Sequence, residues 1–386
     1  MPKAKAPAKT ARRMKVMTIL GTRPEIIRLS LVIKLLDEHA EHTLVHTGQN
    51  FTDTLTDIFF REMGVRQPDV HLAVRGSFGE QVGMLLPAVE KLLTEHRPDR
   101  LLVLGDTNSG ISAVIARRFG IPVYHMEAGN RAYDDRIPEE VNRRVIDHAS
   151  SILMPYTANS RDNLIREGFP LERILVTGNP IKEVMDHHSK SINASTALKR
   201  LKVEEGKYFL VTAHRAETVD NSERLHDVVA ALRALHKQYG FPVLCSVHPR
   251  TAGKMKQHGI STDEPGVHFL EPLGFFDFIR LERGAFCVLT DSGTVQEETC
   301  ILQVPNVTIR EVTERPETVE CGSNFLSGTD PGAILAAVEI VTGLKEKWQP
   351  PVEYLAENVA ATVCRIVTGF RMPDLAEIEW RSGARR

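Results

Sequence analysis

Short apolar, β-branched runs alternate with amphipathic helical stretches in two separate series along this chain, and no other feature narrows the fold as much. The first series has extended runs at Val16–Leu20, Thr43–His46, Leu101–Leu104, Val123–Met126, Ile152–Met154 and Ile174–Val176. Helical patterns separate them: a run from Pro24 to Glu38, then Gly79–Glu95, Ser109–Phe119, Glu139–Ala149 and Ala158–Glu167. Strands this short and this apolar have no water-facing side, so a parallel sheet with helices on both faces is the economical way to bury them. The alternation weakens over Asn179–Glu205 and resumes with extended runs at Lys207–Thr212, Val243–Val247, Val267–Leu270, Ala285–Leu289, Val307–Arg310 and Phe325–Leu326. Helices are expected there at Asn221–Gln238, Thr294–Leu302 and Pro331–Leu344.

The expected architecture is therefore α/β, with two Rossmann-like lobes, residues 14–182 and 183–351, enclosing an inter-domain cleft. Residues 352–386 form a C-terminal helix and tail, with Leu355, Val359, Val363 and Val367 at helical spacing. That helix either closes the second lobe or crosses back to the first. A length of 386 residues, at roughly 100–200 residues per domain, agrees with two to three domains.

Composition removes several function classes. Lys plus Arg number 48 against 50 Asp plus Glu, a formal charge of −2, so no global positive field recruits nucleic acid. Apolar runs are too short or interrupted to span a membrane, and the Ala/Lys/Arg/Pro-rich segment 1–13 lacks the apolar core of a secretory signal. The five cysteines have no paired spacing, which points to a reduced, cytoplasmic setting. There is no G-x-G-x-x-G loop and no Walker loop, so no nicotinamide cofactor or ATPase site is expected. No metal is expected either: His39, His42 and His46 cross a helix-to-strand boundary, and no H-E-x-x-H or dense Cys/His set exists.

Polar clusters follow the strands, where open α/β sheets form ligand crevices. They are Gly21–Glu25, Gly48-Gln49-Asn50, Gly105–Asn108 and Glu127–Arg131 in the first half, and His214-Arg215, His248–Arg250 and Asp291–Thr294 in the second. Ser292 and Gly293 open a helix whose N-terminus can face phosphate, and Glu298 lies where it can accept ribose hydroxyls. Arg23 and Arg315 are candidate diphosphate neutralisers, and His214 and, with weaker support, His248 are candidate phosphate donors. Asp106, Glu127 and Glu139 are the candidate acids and bases. Each also has a structural reading: Asp106 receiving amides, Glu127 pairing with Arg131, Glu139 favouring a helix terminus.

The ordered set Gly21-Thr22-Arg23-Pro24-Glu25, Thr47-Gly48-Gln49, Gly105-Asp106-Thr107, Glu127-Ala128-Gly129, Pro138–Arg143, Thr177-Gly178-Asn179, Thr212–Arg215, Thr290–Glu298 and Thr313–Glu317 resembles the non-hydrolysing UDP-N-acetylglucosamine 2-epimerase family. The resemblance implies a GT-B-type fold, usually dimeric, with UDP and a UDP-2-acetamido sugar held between the lobes, the second lobe binding the nucleotide. It implies C2 inversion by elimination and re-addition of UDP, without metal or nicotinamide. It gives Asp106, Glu127 and Glu139 acid/base or positioning roles and His214 a phosphate or leaving-group role. Arg23, Gln49, Arg131, His248, Ser292, Gly293, Glu298 and Arg315 become substrate contacts, and Phe275 and Phe276 lie in a uracil-proximal loop. The departures Asn130, Ala132 and Ala216 look more like the capsule or O-antigen branch, which includes enzymes forming UDP-N-acetyl-L-fucosamine. A GT-B glycosyltransferase and a non-catalytic UDP-sugar-binding regulator are the alternatives in other classes.

Overall fold

The strands form where the apolar runs are densest. The computed structural model describes residues 12–49, 53–247, 249–344 and 346–370. In the first lobe the strands are β1 (Lys15–Leu20), β2 (Glu41–His46), β3 (Val70–His71), β4 (Arg100–Leu104), β5 (Val123–Met126) and β6 (Ile152–Met154). In the second they are β7 (Phe209–Thr212), β8 (Val243–Ser246), β9 (Val267–Leu270), β10 (Cys287–Thr290), β11 (Asn306–Thr308) and β12 (Asn324–Leu326). Each set makes one parallel six-stranded sheet among the described residues, ordered β3-β2-β1-β4-β5-β6 and β12-β11-β10-β7-β8-β9. Read outward from its first strand, each sheet reverses direction once, so each lobe is a Rossmann-like unit with its own switch point. The two together are a GT-B-type fold.

Two local expectations differ from the structure. Ile174–Val176 is not a sheet strand, because only Ile174 bridges to Leu153. The edge strand β3 carries too little apolar sequence to be recognised in advance, and its two residues simply extend the β2 ladder.

The C-terminal segment breaks later than its spacing suggests. Val352–Leu355 forms a single 3-10 turn, Asn358 adopts a left-handed conformation with φ 59°, and the helix runs Val359–Gly369. Leu355 is 38% exposed, whereas Val359, Val363 and Val367 are fully buried. They join the first lobe's core beside Leu29, Val32 and Leu36 of the helix Arg23–His39. Each valine so buried contributes roughly 1.5–3 kcal/mol. The end of this helix is then fastened to the first sheet, with Tyr124 Oη and Arg100 donating to the Phe370 carbonyl at 2.8 and 2.9 Å. Helix Ile181–His187 also buries Ile181, Val184 and Met185 in this core.

Candidate active site

The loops after β1, β2 and β4 meet because Gly21 has no side chain. A Cβ there would lie 2.1 Å from Thr47 Oγ1 and 2.2 Å from Ser109 Oγ, and those hydroxyls bond each other at 2.7 Å. Gln49 reaches the same point, accepting from Ser109 at 3.4 Å. Glu25 braces the turn by accepting from the amides of Gly21 (3.0 Å) and Thr22 (2.8 Å) and from Thr107 Oγ1 (3.1 Å). Burial pushes its carboxyl up to about 7 against those donors.

The lobes are joined by a buried lattice of ion pairs. Glu127, 4% exposed at the end of β5, meets Arg28 and Arg315, one from each lobe, both at 2.8 Å. Arg143 approaches the same carboxylate at 3.3 Å and donates to the Glu127 carbonyl at 2.7 Å. Arg28 and Arg315 also hold Glu297, while Glu139 in the first lobe pairs with Arg215 in the second at 2.6 Å. Three guanidinium groups hold the Glu127 carboxyl far below its ordinary range despite its burial. Glu127 has φ 62°, a left-handed conformation uncommon outside glycine, which turns its side chain at a sharp strand end.

Asp106 is held differently. Its carboxylate pairs with Arg143, but burial dominates and the nearby charges of Glu314, Glu127 and Glu139 add to it, raising its pKa to about 6. The three predicted carboxylates therefore share one electrostatic neighbourhood. Asp106 is poised to exchange a proton near neutrality, and Glu127 is locked as an anion.

Cationic groups gather beside them. Asp291, fully buried after β10, accepts from the amides of His214 (2.7 Å) and Arg215 (2.8 Å) and lies 3.3 Å from His214 Nδ1. The imidazole, with its side chain 43% exposed, opens to the cleft. Desolvation lowers its pKa, as do the charges of Arg215 and Arg23. Arg23, at the start of its helix, stacks over Phe59 at 5.7 Å and has no carboxylate partner among the described residues. Across the cleft, helix Gly293–Leu302 starts at Ser292 with no acidic residue in its first turn, and Arg315 covers Gly293, whose added Cβ would lie 3.3 Å from Arg315 Cζ. A partly buried unpaired arginine, an imidazole and a bare helix N-terminus form a receptor for a polyanion.

Arg131, Phe275 and Phe276 lie elsewhere. Arg131 does not pair with Glu127 and does not face the cleft: its guanidinium is fully buried between Asp147 (2.7 Å) and Glu167 (2.6 Å). Asp147 also binds His125 at 2.8 Å, so this group braces β5 from behind. Gly129 lets the turn pack there, since its Cβ would meet the Ser160 carbonyl at 2.3 Å. Phe275 is 3% exposed and packs in the first lobe's core. Phe276 is partly buried against His188, with ring centroids 5.3 Å apart. Glu298, on the helix that Ser292 opens, is 6% exposed. His248 lies outside the described residues. Sequence reading passed over Arg28 and took Glu297 and Glu314 only as members of their motifs, with no role; all three look like ordinary helix or loop charges until they meet at the seam.

Comparison with known proteins accounts for this geometry. The family description "UDP-N-acetylglucosamine 2-epimerase" matches residues 34–368. The chain belongs to that family. It is 40% identical over 348 residues to the UDP-N-acetylglucosamine 2-epimerase of Methanocaldococcus jannaschii, covering 88% of this chain and 95% of that protein. The Methanococcus maripaludis epimerase is 38% identical over 367 residues, covering 93% of this chain and all of its own length. The crystal structure of the M. jannaschii enzyme in complex with UDP-GlcNAc and UDP superposes with a TM-score of 0.88 at 38% identity, covering 92% of this chain and 99% of that one. The epimerase match thus spans both lobes and the crossing helix. Among the described residues no helix is long and apolar enough to cross a membrane, and no group of three or more His, Cys, Asp or Glu is arranged to hold a metal ion.

Proposed function

We propose that this protein reversibly inverts C2 of UDP-N-acetylglucosamine to give UDP-N-acetylmannosamine. The observation that carries the reading is the meeting of three carboxylates and an unpaired cationic cleft at the seam of a chain that matches epimerases along most of its length. The C2 proton is weakly acidic, so its removal must be coupled to loss of UDP from C1. A carboxylate takes the proton, the C2–H electron pair forms the C1=C2 double bond, and the C1–O pair leaves with UDP. Re-addition of UDP at C1, with a proton delivered to the opposite face of C2, completes the inversion.

Asp106 and Glu139 divide the proton transfers, one on each face of the sugar. Glu127 stays ionised and positions the three arginines. Arg23, His214 and the amides following Ser292 hold the diphosphate as charge develops on departing UDP, which is where stabilisation raises the rate. Arg315 acts behind Gly293, Gln49 contacts the sugar side, and Glu298 receives the ribose hydroxyls. The five free cysteines support a reducing, cytoplasmic setting, and we take the working form to be a homodimer.

Turnover in deuterium oxide without added NAD tests the chemistry. One solvent deuteron should appear at C2 of the product by NMR. Epimerisation with full retention of the original proton defeats it, and transfer of the sugar to an acceptor would indicate a glycosyltransferase instead.

A further inference from the structure

One buried acidic pair lies beyond the seam lattice. Glu282, in the last turns of helix Phe275–Gly284, is completely buried, and Glu298 on the adjoining helix Gly293–Leu302 is 6% exposed. The two helices pack directly on each other. No N–H or hydroxyl among the described residues donates to either carboxyl oxygen of Glu282. The neighbouring Tyr208 hydroxyl is already committed to the Leu281 carbonyl. Among the described residues, the group on the adjoining helix that acts on the Glu282 carboxyl is Glu298.

Two facing carboxylates at this depth cannot both ionise, whereas one retained proton satisfies both as donor and acceptor. The chain directs its positive charge elsewhere: Glu297, next to Glu298, has two arginines, and Glu282 has none. We propose that Glu282 is a positioning residue that keeps a proton and donates it to Glu298, aiming the remaining Glu298 lone pairs at the ribose hydroxyls of UDP. This rests on the assignment of Glu298 to the ribose made above. Both carboxyls are raised by burial, Glu282 further because of Glu298, while Arg28 pulls Glu298 the other way. Glu282, with no cation and no donor beside it among the described residues, keeps the proton, and the acceptor role falls to Glu298.

Calorimetric titration of the full-length protein with UDP and with 2′,3′-dideoxy-UDP tests the proposal. Wild type should bind UDP roughly tenfold tighter than the dideoxy compound, the order expected for losing two hydrogen bonds of about 0.5–1 kcal/mol net each. Glu282→Leu should lose that discrimination, and Glu282→Gln, whose amide can donate to Glu298, should restore it. Discrimination that survives Glu282→Leu, or that Glu282→Gln loses to the same extent, overturns the role of Glu282 alone. A wild type that binds both ligands equally overturns the ribose assignment and this proposal with it. Should Glu282→Leu fail to fold, the infrared difference between wild type and Glu282→Gln at neutral pH decides. A protonated-carboxyl band present in wild type and missing from the variant supports the shared proton, and no such band overturns it.

Discussion

Replacing Asp106 by Asn should stabilise this protein at neutral pH while abolishing most of its turnover. The Asp106 carboxyl is moved from 3.8 to about 6, chiefly by burial, with Arg143 opposing and Glu314, Glu127 and Glu139 adding to the shift. At 1.36 kcal/mol per unit, a displacement of about two units makes the ionised group costly by up to about 3 kcal/mol relative to the unfolded chain. Between 3.8 and about 6 the folded protein retains a proton that the unfolded chain has lost. Stability therefore falls as pH rises through that window, the full cost is present at neutral pH, and it vanishes below the unfolded value. Asn removes the charge, and Arg143 keeps the Glu127 carbonyl at 2.7 Å and its carboxylate at 3.3 Å. The expected gain is about 1–3 kcal/mol in urea unfolding at neutral pH without ligand, shrinking toward zero near pH 4. Turnover followed by NMR should fall by roughly 10²–10⁴, the usual contribution of a proton carrier. A variant that is less stable at neutral pH, or whose gain is the same at both pH values, would refute the claim that ionised Asp106 is held at a cost.

Arg28→Met removes a guanidinium buried between Glu127 and Glu297; because Arg315 still spans both carboxylates, the loss should lie near the lower end of the usual range, about 3 kcal/mol. A urea midpoint equivalent to less than about 1 kcal/mol of change would show that Arg315 compensates alone. Arg23→Ala should weaken UDP binding by about tenfold or more in calorimetry with little change in melting temperature, since no carboxylate is left unpaired. Arg131→Met should do the reverse, costing about 3–5 kcal/mol by stranding Asp147 while leaving the UDP Kd near wild type; a large rise in that Kd would return Arg131 to the site.

The sequence by itself determined the two series of covered parallel strands, apart from the two-residue β3 and the run Ile174–Val176, because uniformly apolar runs bounded by Gly- and Asp-containing turns are best buried in that way. It also singled out the loops where polar groups gather, since polar residues at the C-terminal ends of such strands point into the crevice there. Asp106, Glu127 and His214 were singled out in this way, and Glu139 at a helix start, and the structure brings the four to one seam. Tertiary structure alone decided the pairing of charges. Glu127 has Arg131 four residues away in the chain, yet it binds Arg28, Arg143 and Arg315, while Arg131 turns back to Asp147 and Glu167. The valine stripe of the last helix is equally compatible with either lobe until the groove beside Leu29 and Leu36 receives it. Local pattern records that a side chain is apolar or charged. Its partner depends on how separately folded layers meet, and at this seam that meeting lowers the pKa of Glu127 and raises that of Asp106 to about 6.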